Sequence, residues 1–108
     1  MHITQISQDF SISAQIITAD VTKIADAGFK SIICNRPDFE EPTQPVFNDI
    51  ANAAHDAGLK TAHVPITAMP MPAQVTEMAH AISELPKPIL AYCRSGNRSS
   101  ILFHAATR

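Results

Sequence analysis

The sequence predicts an α/β domain whose small, mostly parallel sheet has about four strands, and three observations carry that prediction. One pattern occurs twice, thirty residues apart, as Asp26-Ala27-Gly28-Phe29-Lys30 and Asp56-Ala57-Gly58-Leu59-Lys60. Each copy closes an amphipathic stretch and opens a short apolar run, the order helix, glycine, strand. A third apolar run, Ile89-Leu90-Ala91-Tyr92, leads through a cysteine and a glycine-containing turn into another helical stretch. Helix and strand in alternation predict parallel strands with helices packed on them, and the right-handed crossover rule leaves few topologies.

The first seventeen residues alternate weakly through Ile3, Ile6, Phe10, Ile12 and Ile16, which suggests an edge hairpin. Thr18 to Ala27 places Val21, Ile24 and Ala25 on one face, with Thr18 or Asp20 as the cap. Ser31-Ile32-Ile33-Cys34 is then a buried strand. Pro45 to Ala57 carries Val46, Phe47, Ile50, Ala53 and Ala54 at helical spacing; Thr43 or Gln44 would cap it, and Pro45 suits a first turn. The strand Thr61-Ala62-His63-Val64 follows. A helix over about Ala73 to Leu85 then turns Val75, Met78, Ala79 and Ile82 inward. Strand Ile89–Tyr92 and a helix from Ser99 onward complete the order. That last helix has only about ten residues before Arg108, as expected of a piece of a longer protein. The loops after the parallel strands, Arg36 to Pro42 and Pro65 to Pro72, belong on the sheet's carboxyl rim, where open α/β sheets bind ligands.

Bulk composition excludes several classes. At 108 residues the chain is expected to be one domain, residues 1–108, with 45% hydrophobic and 17% charged residues. A formal charge of −2 gives no reason to expect nucleic acid or an anionic membrane as partner. No apolar run approaches the ~18–20 residues that span a bilayer. Met1-His2-Ile3-Thr4 lacks a basic start and an apolar core, so no secretory leader is expected. Two cysteines, Cys34 and Cys93, are too few for a disulfide framework. The expected compartment is the cytoplasm. His2, His55, His63, His80 and His104 show no metal-ligand spacing, so neither metal nor cofactor is expected.

The chemistry concentrates in Cys93-Arg94-Ser95-Gly96-Asn97-Arg98-Ser99. A cysteine between a strand end and a helix N-terminus sits where backbone N–H groups converge, which favours a thiolate and binds an anion. Cys93 is the expected nucleophile, and Arg98 the residue that holds the anionic group of a small substrate. The backbone of Ser95, Gly96 and Asn97 would supply hydrogen bonds, Gly96 permitting close approach or a positive φ. Arg94 would help select the substrate or stand as a solvated surface arginine. Cys34, at the end of a neighbouring strand, is a small buried hydrophobe or a disulfide partner for Cys93. The reading requires the Cys93 sulfur to be ionised at neutral pH and reachable from solvent.

Two families share features with this chain. Cys93 to Arg98 resembles the active-site loop of rhodanese-type sulfurtransferases, a cysteine and five following residues. Ile32-Ile33-Cys34-Asn35-Arg36-Pro37 is similar to the strand and Arg-Pro segment of small dual-specificity phosphatases, and His63-Val64-Pro65-Ile66 to their next strand and its exit. Nearly the whole chain resembles the phosphatase-like domain of beta-lactamase-hydrolase-like proteins. The resemblance implies a tyrosine/dual-specificity phosphatase-like fold, helices on both sheet faces, and a possible fused or partner metallo-hydrolase domain.

Mechanistically the two resemblances diverge. Tyrosine-phosphatase loops put five residues between Cys and Arg, and four separate Cys93 from Arg98. A tighter ring suits a smaller guest, such as the terminal sulfur of a persulfide. Tyr92 also replaces the His that commonly precedes the phosphatase nucleophile. Against this, a phosphatase needs an acid for the leaving oxygen, and Asp38, with Glu40 or Glu41 as substitutes, stands on an adjacent rim loop. Asp38 is equally read as a turn residue after Pro37. Ser99 falls where phosphatases carry a hydroxyl that eases thiolate departure, and equally where a helix is capped. The favoured reading is a cysteine-dependent phosphatase passing through a Cys93 thiophosphate. The alternatives are sulfur transfer through a Cys93 persulfide, and a non-catalytic anion-binding module.

Overall fold

The computed structural model describes residues 1–108. Its elements in chain order are β1 (Ile3–Ser7), β2 (Phe10–Ser13), α1 (Asp20–Asp26), β3 (Ser31–Cys34), α2 (Phe47–Asp56), β4 (Lys60–His63), α3 (Pro72–Glu84), β5 (Ile89–Tyr92) and α4 (Asn97–Ala106). The five strands form one sheet in the order β1-β2-β5-β3-β4, parallel except for the β1–β2 hairpin. The expected count of about four is corrected to five. The hairpin is only half an edge: β1 is the outer strand, and β2 pairs in parallel with β5, Phe10 opposite Ile89 and Ser13 opposite Tyr92.

Helices cover both faces. On one, Met78 and Ala81 of α3 and Leu102 and Phe103 of α4 pack on Phe10, Ile33, Ile89 and Ala91. On the other, Val21 and Ile24 of α1 and Ile50 and Ala54 of α2 pack on Ile32, Cys34, Leu90 and Tyr92. The central strands β3 and β5 are buried at every residue, which is why they read as continuous apolar runs and not as alternations. Each fully buried Ile or Leu contributes about 1.5–3 kcal/mol relative to an exposed one.

The duplicated Asp-Ala-Gly pattern is a duplicated helix stop. After α2, Gly58 takes φ +82, Gly58 N–H donates to His55 O at 3.0 Å, and Leu59 N–H donates to Ala54 O at 2.8 Å. These are the two bonds of a Schellman cap, and nothing crowds the glycine, so backbone conformation alone requires it. The bonds repeat after α1, from Gly28 to Ala25 and from Phe29 to Ile24.

Helix starts depart from expectation. The first residue of α1 is Asp20, its cap position is Ala19, and the Asp20 carboxylate accepts from Ile17 N–H at 3.0 Å. In α2 neither Thr43 nor Gln44 is the cap; the cap position is Val46, and the free N–H of Phe47 donates to Asp38 Oδ1 at 2.7 Å. A carboxylate nine residues upstream does the capping.

Candidate active site

β5 ends at Tyr92, and Cys93 opens the turn into α4. Gly96 is the residue before the helix, at φ +96, and donates its N–H to Cys93 Sγ at 3.0 Å. A Cβ there would lie 3.4 Å from Ser13 O and 3.7 Å from Ile12 Cδ1, so both conformation and close packing against β2 require glycine. Asn97 N–H donates to Ser95 Oγ at 3.3 Å, and Ser100 N–H to Gly96 O at 3.0 Å. Arg98 and Ser99 follow in the first turn of α4, where N–H groups have no intrahelical acceptor and are open to an anion. Gln15 N–H pins the far side of the turn by donating to Arg94 O at 3.3 Å. The turn therefore has the form of a cradle, with the sulfur under the Gly96 amide.

Arg98 is set by contacts that leave part of it free. Its Nη1 donates to Glu40 Oε2 at 2.8 Å and to Ile66 O at 2.7 Å, and its Nη2 to Glu40 Oε1 at 2.7 Å. A guanidinium has five N–H groups, so Nε–H and one Nη2–H remain, the side-on fork that suits two oxygens of one oxyanion. The Glu40 hydrogen bond pushes the Arg98 pKa up against its burial, and the adjacent Cys93 sulfur acts in the same direction. Glu40 in turn is pulled down to about 2, chiefly by Arg98 and also by Arg36.

Arg36 is buried and fully engaged, donating to Glu40 at 2.8 Å, Gln15 at 3.0 Å and Glu41 at 3.1 Å. Both of its carboxylate partners lie in its own loop. Arg94 is 70% exposed and meets Glu41 Oε1 at 3.1 Å. Two carboxylates thus bridge three arginines and tie the two loops together.

Asp38, read as an acid or a turn residue, accepts from Phe47 N–H at the N-terminus of α2. One expectation fails. Cys93 is not open to solvent: it is 0% exposed. The two largest surface grooves, of about 570 and 520 Å³, lie beside α4 and β4 and neither includes Cys93. Ser99 is likewise fully buried, and its hydroxyl has no hydrogen-bond partner.

Tyr92 and Cys34 belong to the α1/α2 core, not to the cradle. Burial raises the pKa of both groups, and both cysteines are free thiols. Cys34 Sγ lies 3.3 Å from Arg36 O, to which it donates, and His63 Nε2 is 2.9 Å from the same carbonyl. Sequence reasoning missed Gln15, the Ile66 carbonyl and Asn35, whose Nδ2 donates to Val64 O at 2.9 Å. Only the run Asn35-Arg36-Pro37 hinted at this support.

The chain is similar to known proteins along nearly its whole length. Residues 2–107 match the family described as the phosphatase-like domain of beta-lactamase hydrolase-like protein. Beta-lactamase hydrolase-like proteins of Agrobacterium fabrum and Xylella fastidiosa are 32% and 35% identical over 104 residues. Each match covers 95% of this chain and 24% of the relative, so the chain spans about a quarter of those proteins. A crystal structure from Neisseria meningitidis, described as a candidate phosphatase, superimposes at TM-score 0.88 with 40% identity over 95% of this chain and 74% of that one. A kinase-associated phosphatase, solved with its catalytic-site cysteine replaced by serine, shares the fold at TM-score 0.75 and 19% identity, over 97% and 74% of the two chains. The fold is that of the tyrosine and dual-specificity phosphatases, and the chain belongs to the phosphatase-like domain family of beta-lactamase hydrolase-like proteins.

Proposed function

We propose that this domain is a cysteine-dependent phosphatase acting on a small phosphorylated substrate. One observation carries the reading: the Cys93 sulfur lies under the Gly96 N–H and beside an Arg98 side chain whose two remaining donors form an oxyanion fork. Cys93, as thiolate, attacks phosphorus; Arg98 and the first-turn amides of α4 hold the equatorial oxygens. The Ser99 hydroxyl, buried and unpartnered, is free to donate to the sulfur as it departs in the second step, which supports the role its sequence position suggests. Arg94 reads the substrate from the rim. Because Cys93 is fully covered, the turn that holds it must open before substrate reaches the sulfur. Two free thiols suit a reducing compartment, the cytoplasm. The curated relatives, four times longer, leave room for a hydrolase domain beside this one.

Sulfur transfer is the second reading, favoured by the four-residue spacing from Cys93 to Arg98. The test is intact mass after incubation with thiosulfate, run beside single-turnover phosphate release from 4-nitrophenyl phosphate. We expect a phosphate burst that Cys93→Ser abolishes. A stable sulfur adduct of +32 Da on Cys93 with no phosphate released would replace the phosphatase with the sulfurtransferase.

A further inference from the structure

We propose that the leaving group of the substrate departs as an anion, taking no proton from the enzyme, so that the substrate is a phosphoric anhydride or acyl phosphate and not an alkyl phosphate monoester. The inference rests on the phosphatase reading above and deepens it. It comes from asking which side chain at the cradle could protonate a leaving oxygen.

The three carboxyl groups of the rim loop each face a partner other than the cradle amides. Asp38 caps α2 through Phe47 N–H at 2.7 Å. Glu40 spends both oxygens on Arg98 and shares one with Arg36. With its carboxyl held at about 2 by those arginines, Glu40 carries no proton at neutral pH. Glu41 Oε1 lies 3.1 Å from both Arg36 and Arg94.

The other titratable groups nearby are no better placed. His63 is stacked on Phe47, ring centroids 4.5 Å apart, with Nε2 on the Arg36 carbonyl. Cys34 points its thiol at that same carbonyl, and the Tyr92 hydroxyl is buried in the α1/α2 core. The one hydrogen bond to the Cys93 sulfur comes from a backbone amide.

A general acid is worth roughly 10²–10⁴-fold when the leaving oxygen is strongly basic, and nearly nothing when it leaves as a weak base. An alkoxide needs the proton; a carboxylate or phosphate does not. In the first step the Cys93 S–P bond forms, the P–O bond to the leaving group breaks, and the electron pair stays on that oxygen as a stable anion. In the second, water attacks phosphorus and the S–P bond breaks to return the thiolate. One water proton goes to solvent, and the other stays with the product phosphate.

The test compares acetyl phosphate, 4-nitrophenyl phosphate and glycerol 3-phosphate as substrates of the whole domain, beside Cys93→Ser and Asp38→Asn. Asparagine keeps an acceptor oxygen for Phe47 N–H and cannot act as an acid, so it separates the two roles of Asp38. We expect Cys93-dependent release from acetyl phosphate and the nitrophenyl ester. Release from the glycerol ester should be slower by about 10²–10⁴-fold, in a ratio that Asp38→Asn does not change. If the glycerol ester is hydrolysed within about tenfold of the nitrophenyl ester, or if Asp38→Asn slows it selectively, the inference is overturned while the phosphatase reading stands. If no substrate gives Cys93-dependent phosphate, the phosphatase reading falls and takes the inference with it.

Discussion

The two rim loops that meet at the Arg98–Glu40 and Arg94–Glu41 pairs are built on opposite principles. The turn after β5 is a backbone device: its key contacts are Gly96 N–H to sulfur, the first-turn amides of α4, and a glycine at φ +96 pressed on β2. The loop after β3 is a side-chain device, in which Glu40 and Glu41 bridge three arginines and Asp38 reaches nine residues forward to cap α2. Backbone devices are fixed by a few residue types in a fixed order. Side-chain devices depend on which of several equivalent carboxylates finds which partner. Damage to the first should therefore remove chemistry, and damage to the second should loosen access or stability.

The largest effect is expected at Gly96. Alanine would have to hold φ +96 with a Cβ at 3.4 Å from Ser13 O, a strain on the order of 1–3 kcal/mol. The turn would relax by moving its N–H off the sulfur, and phosphate release should fall toward that of Cys93→Ser with the fold retained. Circular dichroism beside single-turnover kinetics checks this. A Gly96→Ala protein with near-normal turnover would mean the cradle does not depend on this backbone geometry.

Glu40→Gln sharpens the contrast because it probes the other loop at its contact with the first. Glutamine keeps one acceptor and loses the charge that both Arg36 and Arg98 face. Two results are expected: faster alkylation of Cys93 by iodoacetamide, as the tie between the two loops weakens, and a changed acid response. The Glu40 carboxyl sits at about 2, against an ordinary 4.5, because of Arg98 first and Arg36 after burial is overcome. A carboxyl depressed in the folded state stabilises it above the unfolded value, and that contribution disappears as pH falls from about 4.5 through about 2. Thermal melts of the native protein should lose more stability across that window than melts of Glu40→Gln. Equal acid sensitivity would show that the pairing contributes nothing to the fold.

The same contrast explains what was legible in the sequence. Strands β3 and β5 were readable to the residue because each is four apolar or small residues between unmistakable stops. The Schellman glycines marked both helix ends, and the order strand, Cys93, Gly96, α4 marked the cradle. The place of β2 was not readable. Its alternation suited an edge, and only the long-range pairing with β5 shows it inside the sheet. Asp38 kept two readings because a carboxylate after Pro37 can turn toward the cradle or toward α2, and its bond to Phe47 N–H depends on where that group lies in space. The burial of Cys93 was also invisible, since burial depends on how distant segments pack and not on the local run.

The smallest expected effect is at Asp38, and its size decides which loop that residue serves. Asp38→Ala removes the acceptor of the Phe47 N–H, leaving α2 without a side-chain cap. Loss of an N-cap costs about 0.5–2 kcal/mol, so the denaturation midpoint should shift modestly. Asp38→Asn should recover most of the loss, because its amide oxygen can accept the same bond. Turnover of 4-nitrophenyl phosphate per folded molecule should be the same in both variants. A stability loss repaired by asparagine is the signature of a cap, whereas an activity loss that asparagine does not repair is that of an acid. Chemical denaturation and phosphate release measured on one set of preparations separate the two.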